Sequence, residues 1–271
     1  MGSSTMFRHL GKVFAVGVST LVLLSLPSHA ADVLPHALTI AEMDVVWNQR
    51  TDPDQTRELI RIGQELSREQ PGNYEAGWRL ARAQWWLCHT SRDRRSGESA
   101  CGRAMDLAKA TIELRPERVE ARLVFALATR DYGISIGPWR AFAQGIATQF
   151  ETAALTAYDL DRDFDDGSAI AALGRHYYSL PWPIRDLVAS RTYLEELRAR
   201  HPRALWGRFY LAETYYKLGD RSRARAELDY VLTHQPLAGK EPDDAPAKEA
   251  AQQRYGEWFG NRALLADARA H

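Results

Sequence analysis

Residues Leu205–Pro236 read LWGRFYLAETYYKLGDRSRARAELDYVLTHQP, and this stretch decides the fold. Leu211, Ala212 and Tyr215 form one apolar stripe at helical spacing. Gly219-Asp220 marks a turn, and Ala224, Leu228 and Val231 form an answering stripe before Pro236 ends the unit. Large and small residues alternate where two antiparallel helices must touch. One such hairpin cannot bury its own apolar face, so it has to stack on neighbours. The expected product is an all-α stack of hairpins with a concave inner surface.

Working outward, the unit ends can be counted. Pro71, Pro116, Asp161, Pro202 and Pro236 fall at one point of the pattern, at intervals of 45, 45, 41 and 34 residues. The longer units carry their excess between the two helices of the pair. In the first, Leu80-Ala81 opens, Ala104, Ala108 and Thr111 answer, and the excess is the Cys-flanked hydrophilic stretch HTSRDRRSGESA, read as a loop. In the second, Phe125-Ala126 opens and the excess is Tyr132–Arg140. In the third, Leu173-Gly174 and Tyr177 open, Leu194 and Leu197 answer, and Leu180-Pro181-Trp182-Pro183 is inserted. Insertions at one place in each unit project from one side of the stack. Thr39–Asn48 and Asp54–Glu69 read as helices ahead of the first counted unit, separated by a turn with a capping signal at Asp52-Pro53. After the polar linker LAGKEPDDAP, a helix starting at Asp244 and running to about Trp258 is expected to cap the stack.

The first thirty residues differ from the rest. Arg8 and Lys12 precede an almost wholly apolar run, Val13–Leu26, and Ser28-His29-Ala30 places small residues where a signal peptidase needs them. Residues 1–30 read as a secretory signal cut before Ala31, leaving one domain over 31–271. The run falls short of the ~20 residues a spanning helix needs; an uncleaved anchor is the alternative. No Cys lies near the cut, so lipid anchoring has no support. Lys plus Arg and Asp plus Glu both number 35, a balance that gives no reason to expect nucleic acid. Eight Trp and eleven Tyr fit either a packed helical core or a stacking face. In an exported chain the two cysteines, Cys88 and Cys101, are expected to form a disulfide, with two free core thiols as the alternative. Two ligands without a CxxC do not make a zinc site.

The motifs WNQRTDP, YEAGWRLARAQWW, AMDLAKATIELRPE, ALGRHYYSLPWP and LAETYYKLGD follow one another in that order. Together they resemble the tetratricopeptide-repeat (TPR)-like T components of TRAP transporters, the TatT-like periplasmic proteins, over about Ala41 to Trp258. The resemblance implies a TPR-like solenoid of about four to five helix pairs. It also implies a non-enzymatic periplasmic protein that binds a solute-binding protein and passes on an apolar or acidic ligand. A general envelope-assembly scaffold is the alternative function. No cofactor is expected, and self-association is left open.

The first helix of each pair is expected to face the groove. That places Trp78, Arg82 and Trp85 on it, then Leu123, Leu127 and Arg130, then Arg175 and Tyr178, then Trp206, Phe209, Glu213 and Tyr216. Aromatics alternating with Arg suit a ligand with an apolar body and a carboxylate, or an acidic peptide. The alternative is packing between helices with the Arg in solvent. Gly133-Ile-Ser135-Ile-Gly137 matches the GxSxG of hydrolase nucleophiles, which needs a strand-to-helix turn that nothing here supplies. The run Asp159 to Gly167 lacks the register of a calcium loop and reads as a capped, solvated turn.

Overall fold

The computed structural model describes residues 39–260 apart from residue 238. The leader expected at 1–30, its cut before Ala31, and the C-terminal tail lie outside the described residues. Twelve helices are described and no strand accompanies them: α1 (Ile40–Trp47), α2 (Pro53–Glu69), α3 (Tyr74–His89), α4 (Arg94–Leu114), α5 (Val119–Ile136), α6 (Pro138–Ala143), α7 (Ile146–Leu160), α8 (Phe164–Ser179), α9 (Leu187–Arg200), α10 (Leu205–Lys217), α11 (Arg221–Thr233) and α12 (Glu241–Phe259).

Five hairpins follow from the helix contacts: α1/α2, α3/α4, α5/α7 with α6 inserted, α8/α9 and α10/α11, with α12 packed on α10 and α11. The first helices also touch in turn, α1 to α3, α3 to α5, α5 to α8, α8 to α10 and α10 to α12, whereas the second helices do not touch one another. The first helices therefore form the inner wall, as the hairpin pattern predicts. Helix starts follow the caps. Thr39 and Glu42 form a capping box, and Asp52, Asn73, Asp93, Asp186 and Asp220 each accept a backbone N–H in the first turn of their helix.

Small residues set how closely the hairpins pack. A Cβ added at Gly174 would lie 2.5 Å from Leu194 Cγ across the α8/α9 contact, and one at Gly207 would overlap Leu197 between α9 and α10. Leu194 and Leu197 are fully buried and cannot retreat cheaply. At the α10/α11 turn Gly219 takes φ +87°, a conformation open to glycine.

One expected loop is corrected. The hydrophilic stretch between the cysteines is mostly helix. Asp93 accepts from Ser96 N at 2.8 Å and starts α4 at Arg94, so only residues 90–93 link α3 to α4. The second insertion is also partly helical: α5 runs on to Ile136, and Gly137 at φ +85° leads into α6. Cys88 and Cys101 are joined by a disulfide, with Cα atoms 5.2 Å apart, tying α3 to the second turn of α4. Closing a chain segment of this length stabilises by about 3 kcal/mol in the loop-entropy description. The capping helix begins at Glu241, three residues before the expected Asp244, and Pro246 falls inside it, within the second turn.

Candidate functional site

Helix spacing alone brings the first three site residues together. Trp78, Arg82 and Trp85 lie four and three residues apart, so α3 presents them on one face. That face is the inner wall, and it borders a cavity of about 990 Å³ also lined by Arg130, Trp206 and Tyr210. Leu123 and Leu127 of α5 supply the apolar side between them.

The cavity is closed on one side by the chain itself. The segment after α11 and the first turn of α12 cross to the opposite end of the stack. Arg50, in the α1–α2 turn, donates from Nη2 to Asp243 Oδ2 at 2.6 Å and from Nη1 to Trp47 O at 3.0 Å. Its guanidinium lies over the rings of Trp47 and Trp86, at 4.3 and 4.9 Å. Trp206 donates to Asp243 O at 2.6 Å. Lys240 reaches Asp165 and Asp166 at 2.6 and 3.2 Å. Part of the acidic run therefore pairs with the crossing segment, while Asp161 caps the turn by accepting from Asp163 N and Phe164 N. The turn expected for this run is solvated at Asp161, Asp165 and Asp166 alike, and the last two also hold Lys240. Asp165 and Asp166 both adopt positive φ, 52° and 55°, which non-glycine residues seldom do.

Arg82 is the least satisfied charge of this wall. It sits between the Trp47 and Trp78 rings, 3.9 and 4.6 Å from their centres. Its Nε has no hydrogen-bond partner. The nearest carboxylate oxygen, Asp44 Oδ1, is 3.6 Å away and already accepts from Arg79 at 2.8 Å. Burial pushes the Arg82 pKa down to about 10, which still leaves it a cation at neutral pH. Arg130, by contrast, is paired with Asp131 at 2.9 Å. Asp131 also accepts from Trp85 Nε1 and meets His89 Nδ1, each at 2.9 Å. Burial pushes the Asp131 carboxyl up, but Arg130 and the His89 hydrogen bond outweigh it and hold it well below the usual range. Arg50 Nε is likewise without a partner, so the wall offers aromatic faces and two cations with unmet donors, which is the chemistry of an anion attached to an apolar body.

The other site residues read from the sequence lie elsewhere. Arg175 pairs with Glu213 and lines a neighbouring depression, with its guanidinium 4.9 Å from the Tyr178 ring. Glu213 is buried and also accepts from Arg254 Nε at 3.0 Å. Phe209 is buried in the core shared by α10, α11 and α12, and Tyr216 stacks on Trp258 at 3.9 Å. Ser135 sits in the last turn of α5 and donates back to Tyr132 O at 2.8 Å, so the GxSxG match is on a helix and not on a strand-to-helix turn. Among the described residues no group of His, Cys, Asp or Glu is arranged to hold a metal ion.

Trp47, Arg50, Trp86, Tyr210 and Lys240 are cavity residues that sequence reasoning missed. The repeat pattern assigns groove positions only from α3 onward, and α1 and its turn lie ahead of it. The crossing segment reads only as a polar linker, because its partners lie at the far end of the chain.

No protein-family profile matches the chain, and no curated protein matches it. Among solved structures it is similar to a thermophilic TPR protein of Thermus thermophilus, with a TM-score of 0.59 and 17% identity over 79% of this chain and 100% of that one. At that identity the likeness shows the fold alone, and it agrees with the hairpin order described above. The chain is thus a TPR-like helical-hairpin solenoid, an architecture associated with protein–protein interaction.

Proposed function

We propose that this protein is an exported TPR-like binding protein, a T component associated with a TRAP transporter, that engages a solute-binding protein and takes a small carboxylate with an apolar body into its inner cavity. The observation that carries the reading is the position of Arg82. A cation held between two tryptophan rings, with an unpartnered Nε and only a 3.6 Å contact to a carboxylate already held by Arg79, suits a bidentate anion better than it suits packing. The surrounding Trp and Leu side chains suit the apolar remainder. The transporter role rests on the ordered motifs from WNQRTDP to LAETYYKLGD, and export rests on the leader pattern at 1–30.

Two measurements test it. A pull-down from periplasmic extract with the full chain is expected to recover a solute-binding protein; recovery of cell-wall or outer-membrane enzymes instead makes it an envelope-assembly scaffold. Titration of the intrinsic Trp emission with aliphatic and aromatic carboxylates is expected to saturate for the native chain and to fail for Arg82→Gln. Equal titration by both defeats the cavity assignment.

A further inference from the structure

The hairpin insertions carry a second chemistry, away from the inner cavity. Trp139 and Phe142 of the α5–α7 insertion are 86% and 85% exposed, and Trp182 of the α8–α9 insertion is 87% exposed. Side chains of this size are rarely left in water unless something covers them. Their sequences are alike: Pro138-Trp139-Arg140 and Pro181-Trp182-Pro183-Ile184-Arg185 each put a Trp behind a Pro with an Arg close after it. Ile134, Ile184 and Val188 extend the apolar tips.

The first insertion adds charge. Arg92, Arg94 and Arg95 are all exposed, with Asp93 engaged as the α4 cap. Arg94 holds the first two insertions together by donating from Nη2 to Ile136 O at 2.6 Å and from Nε to Ser135 O. Arg140 pairs with Glu98 at 2.8 Å across the same junction. Among the described residues, Arg92 and Arg95 meet no carboxylate. One depression is lined by Arg92 and Arg94 from the first insertion, Ile134 and Trp139 from the second, and His176 and Ser179 at the end of α8, just ahead of the third.

We infer that this insertion face docks on an anionic phospholipid surface. Protruding Trp and Phe tips insert at headgroup depth, where amphipathic rings are most favourable, while unpaired Arg side chains beside them meet lipid phosphates. A protein partner would be expected to fill a groove or meet a flat patch. Here the apolar groups are separate exposed tips on two insertions, with Arg92 and Arg95 on the insertion before them. Among the described residues no helix is long and apolar enough to cross a membrane.

The test uses the full chain and vesicles of equal parts phosphatidylglycerol and phosphatidylcholine with brominated acyl chains. Of the eight Trp, only Trp139 and Trp182 are exposed, and none lies in the N-terminal apolar run, so quenching reports on this face. Quenching is expected for the native chain and is expected to vanish in Trp139→Phe/Trp182→Phe, which keeps apolar rings at both tips. Co-sedimentation should weaken about tenfold in Trp139→Ala/Phe142→Ala/Trp182→Ala, and by about fivefold per charge in Arg92→Ser and Arg95→Ser. No quenching of the native chain, or equal quenching of the double Phe variant, overturns the inference. So does a lipid-free dimer that the triple Ala variant converts to monomer, since the face would then be a contact between copies.

Discussion

Arg82 and the arginines around Glu213 and Glu227 are satisfied in opposite ways. Toward the C-terminal end, Arg175 and Arg254 converge on Glu213, and Arg198 and Arg208 converge on Glu227 at 2.9 and 2.8 Å. Both glutamates are buried, and their partners come from neighbouring helices of the stack. These clusters fix how one hairpin sits against the next. Toward the N-terminal end, Arg82 faces the cavity with aromatic rings around it and its Nε unpaired. On the proposed function, the difference separates arginines that hold the stack together from one left for a ligand. The N-terminal end has ties of its own: Arg79 of α3 holds Asp44 of α1 at 2.8 and 2.9 Å, the Cys88–Cys101 disulfide joins α3 to α4, and Arg50 pairs with Asp243.

Breaking the C-terminal clamp has the largest expected effect. Glu213→Ala leaves two guanidinium groups around a buried gap, and removing one partner of a buried ion cluster costs about 3–5 kcal/mol. Chemical denaturation should show the loss as a lower midpoint with an unchanged slope. A loss under about 1 kcal/mol would mean the arginines simply turn to solvent. Next in size is the N-terminal tie. Reduction of the disulfide, or Cys88→Ser/Cys101→Ser, is expected to cost about 3 kcal/mol. Amide exchange should then rise first in α3 and the start of α4, ahead of α10 and α11.

How much of this is legible in the sequence depends on whether the partners are close along the chain. The α10/α11 hairpin can be read residue by residue, since its stripes, turn glycine and terminal proline are all local. Trp78, Arg82 and Trp85 can be placed together because one helix carries them. Phe209 and Glu213 share their helix with Trp206, yet they point into contacts made by α12, which the hairpin pattern does not specify. Arg50 and Asp243 are 193 residues apart, and no local signal joins them. The Cys-flanked stretch misleads for a different reason. Its polarity suggests a loop, while the Asp93 cap and the packing of Ala100 and Cys101 against α3 make it helix.

The crossing segment allows a pH test of the same contrast. Asp244 is buried beside Asp243, and burial first, then that neighbour's charge, pushes its pKa up to about 6. Between the ordinary carboxylate value and 6 the folded chain binds this proton more tightly than the unfolded chain, so its contribution to stability falls as pH rises through that window. Asp244→Asn is expected to gain about 2 kcal/mol at pH 7.5 and to lose most of that gain only by about pH 4. Thermal unfolding of both chains across that range checks it; parallel profiles would mean that Asp244 is solvated in the folded state.

The smallest effect is expected at Arg82, and its smallness sharpens the contrast. Burial already penalises this cation, and its nearest carboxylate is shared with Arg79. Replacing a poorly compensated buried charge by an apolar side chain of similar length is often neutral or stabilising. Arg82→Met loses the contacts with the Trp47 and Trp78 rings but fills the same slot, so its unfolding free energy should stay within about 1 kcal/mol of the native value. Carboxylate binding should nevertheless disappear. A cation that can be removed without harm to the fold, while Glu213 cannot, is held there for a ligand; a loss as large as that of Glu213→Ala would make Arg82 one more clamp and close the cavity as a site.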